Sequence, residues 1–180
     1  MKELVLLIGL PGSGKDTQAE LLEESLGYHV IKIGDEVRKQ AQQNPELFNQ
    51  EVNGRLADPK VVNNIVDKHL SISKSNAKIV CNGYPRSMQQ AKALDEMIDK
   101  YDFDKVKVIF IKIGQDEILK RLKQRGREDD TEDAIKKRLE IFNNDTQEVL
   151  NYYLDKGELS TVDGMGTVEE VHNKIKNELL

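Results

Sequence analysis

Residues 3–17, ELVLLIGLPGSGKDT, decide the fold. ELVLLI is a short apolar run rich in Leu, Val and Ile, and it predicts a strand buried on both faces. Gly9, Gly12 and Gly14 let the following backbone wrap close to an anion, with N–H groups pointing inward where a helix begins near Gly14. With Ser13 inside that wrap, Lys15 then reaches the β and γ phosphates of a bound nucleotide. A glycine-rich turn with a stray lysine is the competing reading, but it gives no reason for the strand before or the amphipathic helix after. In the general pattern GxxxxGK[ST] a hydroxyl residue follows the lysine and helps to hold Mg²⁺. Here Asp16 stands in that place and the hydroxyl comes one residue later, at Thr17. The loop alone points to a triphosphate and not to a reaction.

Outward from the loop, YHVIKI (28–33), KIVCN (78–82), VKVIFIKI (106–113) and LSTV (159–162) are further short runs rich in Val and Ile, each followed by a polar or glycine signal. The segments between them carry helical spacing, as in Leu94, Met97, Ile98 and Tyr101, or Val168, Val171 and Ile175. Asp58 before Pro59 reads as an N-cap followed by proline at the first helical position, and Asp129 with Glu132 reads as a capping box. Strand alternating with helix predicts an α/β fold: a five-stranded parallel sheet with helices on both faces. Ligands of such sheets sit outside the carboxyl ends of the strands. No internal repeat, low-complexity tract or Pro/Gly-rich linker interrupts the pattern, so residues 1–180 are expected to form one domain.

Composition narrows the classes. At 180 residues, with 38% hydrophobic and 33% charged residues, the chain reads as globular, and it has no run of about 18 apolar residues to span a bilayer. The first strand begins by residue 3, which leaves no room for a secretory leader and predicts a cytoplasmic chain. One cysteine, Cys81, cannot form an intramolecular disulfide and is expected to be a small buried residue. His29, His69 and His172 are too scattered for a metal-ligand spacing. A net charge of −5, no Trp and no aromatic–basic pattern argue against nucleic acid. Of 27 basic residues only seven are Arg: 38, 55, 86, 121, 125, 127 and 138. Lysine serves the ordinary surface, so the arginines suggest bidentate phosphate contacts.

GLPGSGKDTQAE, IGDEVR, NGYPRSMQQA, LKRLKQRG and REDDTEDAIKKRLE occur in that order and resemble the successive motifs of adenylate kinases and related nucleoside monophosphate kinases. The resemblance spans residues 3–176. It implies a P-loop NTPase-type sheet, a helical insert over about 34–65 that binds the monophosphate, and a lid over about 125–129 that closes on ATP. It implies reversible, Mg²⁺-dependent transfer of a phosphoryl group from ATP to AMP, with a monomer as the family default. By the same resemblance, Gly12 to Thr17 cradle the ATP phosphates, and Arg121 and the backbone near Gly166 meet its adenine. Arg38 and Arg86 hold the acceptor phosphate, Gly83 belongs to the same acceptor site, and Arg125, Arg127 and Arg138 surround the group under transfer. Catalysis would rest on Lys15, Arg86, Arg125, Arg127 and Arg138. Arg55 matches no such role and is taken as a surface residue.

Only Gly126 separates Arg125 from Arg127, a lid shorter than those of short-lid relatives, and no cysteines are present for the zinc site that some long-lid relatives carry. Poorer water exclusion is therefore expected, with measurable ATP hydrolysis in the absence of acceptor. Gln90 stands where adenylate kinases use a glutamine against adenine, which favours AMP. Ile33 stands where the family has a small or hydroxyl residue, and with Val37 and Ala57 it would complete an apolar wall. CMP or UMP is the alternative acceptor, and a regulatory protein that grips ATP without transferring phosphate is a further alternative. Many relatives carry Gly at position 16 and Asp at position 82. Here Asp16 and Asn82 reverse that arrangement, so Asp16 is expected to take over the metal role, through water or directly.

Overall fold

The computed structural model describes residues 1–43, 57–126 and 131–180. Strands β1 (Glu3–Ile8), β2 (His29–Lys32), β3 (Lys78–Asn82), β4 (Lys105–Lys112) and β5 (Leu159–Asp163) form one parallel sheet in the order β2-β3-β1-β4-β5. Helices α1 (Lys15–Leu26), α2 (Ile33–Ala41), α3 (Pro59–Ser71), α4 (Met88–Lys100), α5 (Gln115–Arg125), α6 (Glu132–Ile141), α7 (Gln147–Asp155) and α8 (Val168–Leu179) flank it. A π-helical stretch, Phe142–Thr146, joins α6 to α7. The α/β class and the five-stranded parallel sheet are as the sequence predicts.

The central strand explains why its run is unbroken. Leu4, Leu6 and Ile8 pack on one face with Val66 of α3, Leu94 of α4 and Leu150 of α7. Val5 and Leu7 pack on the other with Ala19 and Leu22 of α1 and Val171 and Ile175 of α8. None of these five strand residues is more than 2% exposed. A strand covered on both sides needs apolar residues at every position, and each buried Leu or Ile contributes about 1.5–3 kcal/mol. Cys81 lies in the first of these clusters, fully buried, and burial pushes its thiol up to about 12. Among the described residues no helix is long and apolar enough to cross a membrane.

Two boundaries differ from expectation. Ile33 does not end β2; it opens α2, and Asp35 and Glu36 in the first turn of that helix favour the change by complementing its dipole. Asp129 lies outside the described residues, and the cap of α6 is Thr131, whose side chain accepts from the Ala134 amide. Glu132 is thus the first helical residue and not the third. The expected cap at Asp58 is present, its carboxylate accepting from the Lys60 amide at 2.8 Å with Pro59 at the first position. Val168, read as part of the apolar face of α8, is 54% exposed, whereas Val171 and Ile175 are buried. Parts of the expected 34–65 insert and 125–129 lid, together with Arg55 and Arg127, lie outside the described residues.

Candidate active site

The chain runs from β1 toward one edge of the sheet and from β3 back toward the other, so a crevice opens beside β1 at the carboxyl ends of the strands. A cavity of about 670 Å³ occupies it, within the usual range for small-molecule sites. Its floor is the loop after β1. Gly12 takes φ +82°, a left-handed conformation natural to glycine, and a Cβ there would lie 3.2 Å from Leu122 Cγ. The Ser13 amide donates to the Leu10 carbonyl at 3.0 Å, and Lys15 Nζ donates to the same carbonyl at 3.0 Å. The lysine therefore folds back over the loop at the amino end of α1, where the helix dipole and the first-turn N–H groups favour an anion.

The other walls carry the remaining candidates. From the carboxyl end of β2 and α2 come Ile33, Val37 and Arg38, with Ala57 beside them. Ile33 and Val37 are buried, and Arg38 pairs with the Asp35 carboxylate. After β3, Gly83 has φ +81°, and a Cβ there would stand 2.8 Å from an Arg86 guanidinium nitrogen. The left-handed φ favours glycine there, and Arg86 crosses the turn with its Nε donating to the Gly83 carbonyl at 2.7 Å. Gln90, 2% exposed, accepts from the Arg86 amide on Oε1 at 2.8 Å. A backbone N–H can only donate, so this bond fixes which end of the amide faces which way.

Arg121 on α5 spans the Glu117 carboxylate at 2.8 Å and the Gly164 carbonyl at 3.3 Å, closing one side of the cavity against the Gly164–Gly166 turn. The Arg121 pairing holds the half-buried Glu117 carboxyl below its usual range. Arg125 of α5 and Arg138 of α6 line the same space. Thus Gly12 to Thr17, Ile33, Val37, Arg38, Ala57, Gly83, Arg86, Gln90, Arg121, Arg125, Arg138 and Gly166 all border one cavity. Arg127 alone of the expected residues lies outside the described ones.

The two unusual positions touch. Asn82 Nδ2 donates to Asp16 Oδ1 at 2.8 Å. The other end of the amide, Asn82 Oδ1, is buried without a hydrogen-bond partner among the described residues, as is Ser13 Oγ. Buried polar atoms without partners are costly, and here both belong to residues of the cavity wall. Sequence reading also passed over Gln18, Lys32, Phe142, Thr146 and Thr167 on that wall. Lys32 Nζ pairs with Glu20 at 2.6 Å, and Thr146 donates to the Arg86 carbonyl at 3.1 Å across 60 residues. Among the described residues no group of three His, Cys, Asp or Glu is arranged to hold a metal.

A family model described as adenylate kinase matches residues 7–158. The chain belongs to the adenylate kinase family. It is 39% identical to the adenylate kinase of Mycolicibacterium vanbaalenii over 171 residues, 93% of each chain. It is 40% identical to that of Mycobacterium ulcerans and 38% identical to that of Mycobacterium tuberculosis, with the same coverage. Membership of the adenylate kinase family makes it a nucleotide-binding phosphotransferase, and one cavity ringed by a phosphate loop and arginines from four separate segments suits that chemistry.

Proposed function

We propose that the protein transfers a phosphoryl group reversibly from ATP to AMP, giving two ADP, with Mg²⁺. The observation that carries this reading is the convergence on one cavity of the Lys15 loop, Arg38 with Arg86, and Arg121, Arg125 and Arg138. A protein that only grips ATP has no use for a second set of phosphate-binding arginines. In-line transfer needs two anions aligned, their charge balanced as it moves, and water kept away; it needs little covalent help. In this reading Lys15 and the loop amides hold the donor phosphates, and Arg38 and Arg86 hold the acceptor phosphate in line. Arg125 and Arg138, with Arg127, meet the charge that builds on the group in flight. Loss of one such preorganised donor costs several kcal/mol, about 2.7–4 in well-studied oxyanion sites.

The residues present fit Mg²⁺, which prefers one or two carboxylates and keeps several waters. Asp16 would offer the carboxylate, with the Thr17 hydroxyl and the buried Ser13 Oγ and Asn82 Oδ1 beside it. Bound there, the ion would neutralise phosphate charge. For the acceptor, the fixed Gln90 amide leaves Nε2 free of its Arg86 bond and one lone pair on Oε1, a donor and an acceptor in the order that suits the adenine edge. The apolar Ile33, Val37 and Ala57 would face the base. Residues 34–65 would form the acceptor-binding insert, residues 125–129 the lid, and a cytoplasmic monomer would carry the activity. The test is transfer from ATP to AMP, CMP, UMP and GMP in parallel, with and without Mg²⁺, followed by ³¹P NMR. Transfer to AMP alone supports the reading; transfer to CMP or UMP moves the acceptor assignment, and no transfer overturns it.

A further inference from the structure

Gln18 sits one turn into α1, on the cavity wall and 2% exposed, and each end of its amide has a partner. Its Nε2 donates to the Val168 carbonyl at 2.9 Å, and its Oε1 lies 3.2 Å from His172 Nδ1. A carbonyl can only accept, so the Val168 bond fixes the amide, and Nδ1 of His172 must then carry a proton. Burial, with Lys176 nearby, holds His172 below its usual pKa, which leaves the other nitrogen, Nε2, as an acceptor at neutral pH. That nitrogen lies 3.0 Å from Ser25 Oγ, two turns further along α1, a hydroxyl that also has the Leu21 carbonyl as acceptor at 2.6 Å.

These contacts tie two walls together. The Gln18 backbone N–H donates to the Gly14 carbonyl at 3.0 Å, closing the first helical turn onto the phosphate loop. Its side chain holds Val168, the first residue of α8, directly after the capped turn Gly164–Thr167 that borders the same cavity. A bound nucleotide that spans from loop to turn would register their separation.

We infer that Gln18, oriented by His172, is a positioning residue that sets the spacing between the phosphate loop and the Gly164–Thr167 turn, and so governs affinity for the donor nucleotide. This rests on the reading of the cavity as the ATP site. Gln18→Ala should raise KM for ATP about tenfold, the worth of one well-placed hydrogen bond, while KM for AMP and kcat stay within about twofold. His172→Asn, which keeps an N–H donor toward Gln18, should retain most of the ATP affinity, and His172→Phe should lose it. Imidazole ¹⁵N NMR should find His172 as the Nδ1–H tautomer in the unmodified protein and a shift toward Nε2–H in Gln18→Ala. Equal changes in both KM values, or a fall in Tm with KM unchanged, would overturn the inference, as would an Nε2–H tautomer at the outset. If the protein proved inert toward AMP, the functional reading would fail separately, and calorimetric ATP affinity with the tautomer would still decide this one.

Discussion

Asn82 gives its amide hydrogen to the Asp16 carboxylate at 2.8 Å, so neither residue can be changed without the other responding. Asp16→Gly removes the carboxylate and strands a buried Asn82 N–H, a penalty of about 1–3 kcal/mol. Asn82→Asp alone sets two carboxylates against each other, and the pair repels unless a proton or a cation intervenes. The double change leaves one carboxylate again, at the end of β3. Asp16→Gly should therefore need more Mg²⁺ for half-maximal activity, Asn82→Asp no more than the unmodified protein, and the double variant less than Asp16→Gly alone. A double-mutant cycle on the Mg²⁺ requirement should give a coupling of about 0.5–3 kcal/mol; additivity within about 0.5 kcal/mol would sink the idea. Gln90 makes a second test at this scale. Gln90→Glu keeps the acceptor for the Arg86 amide but replaces Nε2 with an oxygen that cannot donate. KM for AMP should rise at least about tenfold with little change for ATP, because a site that loses a designed donor rejects its substrate strongly. An unchanged KM for AMP would remove Gln90 from base recognition.

Helix α3 is held at its start, where Asp58 accepts from the Lys60 amide and Pro59 takes the position that needs no donor. Asp58→Ala should cost about 1 kcal/mol, read as a lower urea midpoint with an unchanged slope. Asp58→Ser should recover most of it, and equal losses in both variants would mean that the cap contributes nothing. That cap was legible because its partner is two residues away. Strands β1 and β3 were legible for a related reason: burial on both faces writes itself as a continuous apolar run. The end of β2 was not, because Ile33 is buried either way and apolar character cannot choose between the last strand residue and the first helical one. The phosphate loop and the arginines were legible through chemistry that tolerates few residue types. Gln18 and Thr146 were not, because their partners are backbone carbonyls 150 and 60 residues away, which leave no side-chain signature. Nor did the pairing of Asn82 with Asp16 follow from either residue alone; it needed β3 placed beside β1.

Across the whole molecule, buried groups of opposite kinds bound the pH range of stability. His69 and His172 are both held below their usual pKa mainly by burial, His69 also by the neighbouring His29. In the unfolded chain they return to about 6.5. As pH falls below that value the unfolded state takes up protons that the folded state refuses, so ν_U exceeds ν_N and stability declines. Tyr28, Tyr84 and Tyr153 act in reverse: burial raises each above its usual value, reinforced at Tyr28 by its bond to Glu3. Above about pH 10 the unfolded tyrosines release protons that the folded ones keep, and stability declines again. The expected profile of Tm is a plateau between about pH 7 and 9 with an acid and an alkaline shoulder. Replacing His69 and His172 together by Gln should flatten the acid shoulder between about pH 6.5 and 5 and leave the alkaline one in place. Carboxylates held low by partners, such as Asp67 with Lys100 and Tyr101, lose their share only in more acid solution, so they cannot imitate the histidine effect. An acid shoulder that survives the double replacement would show that the histidines do not set it.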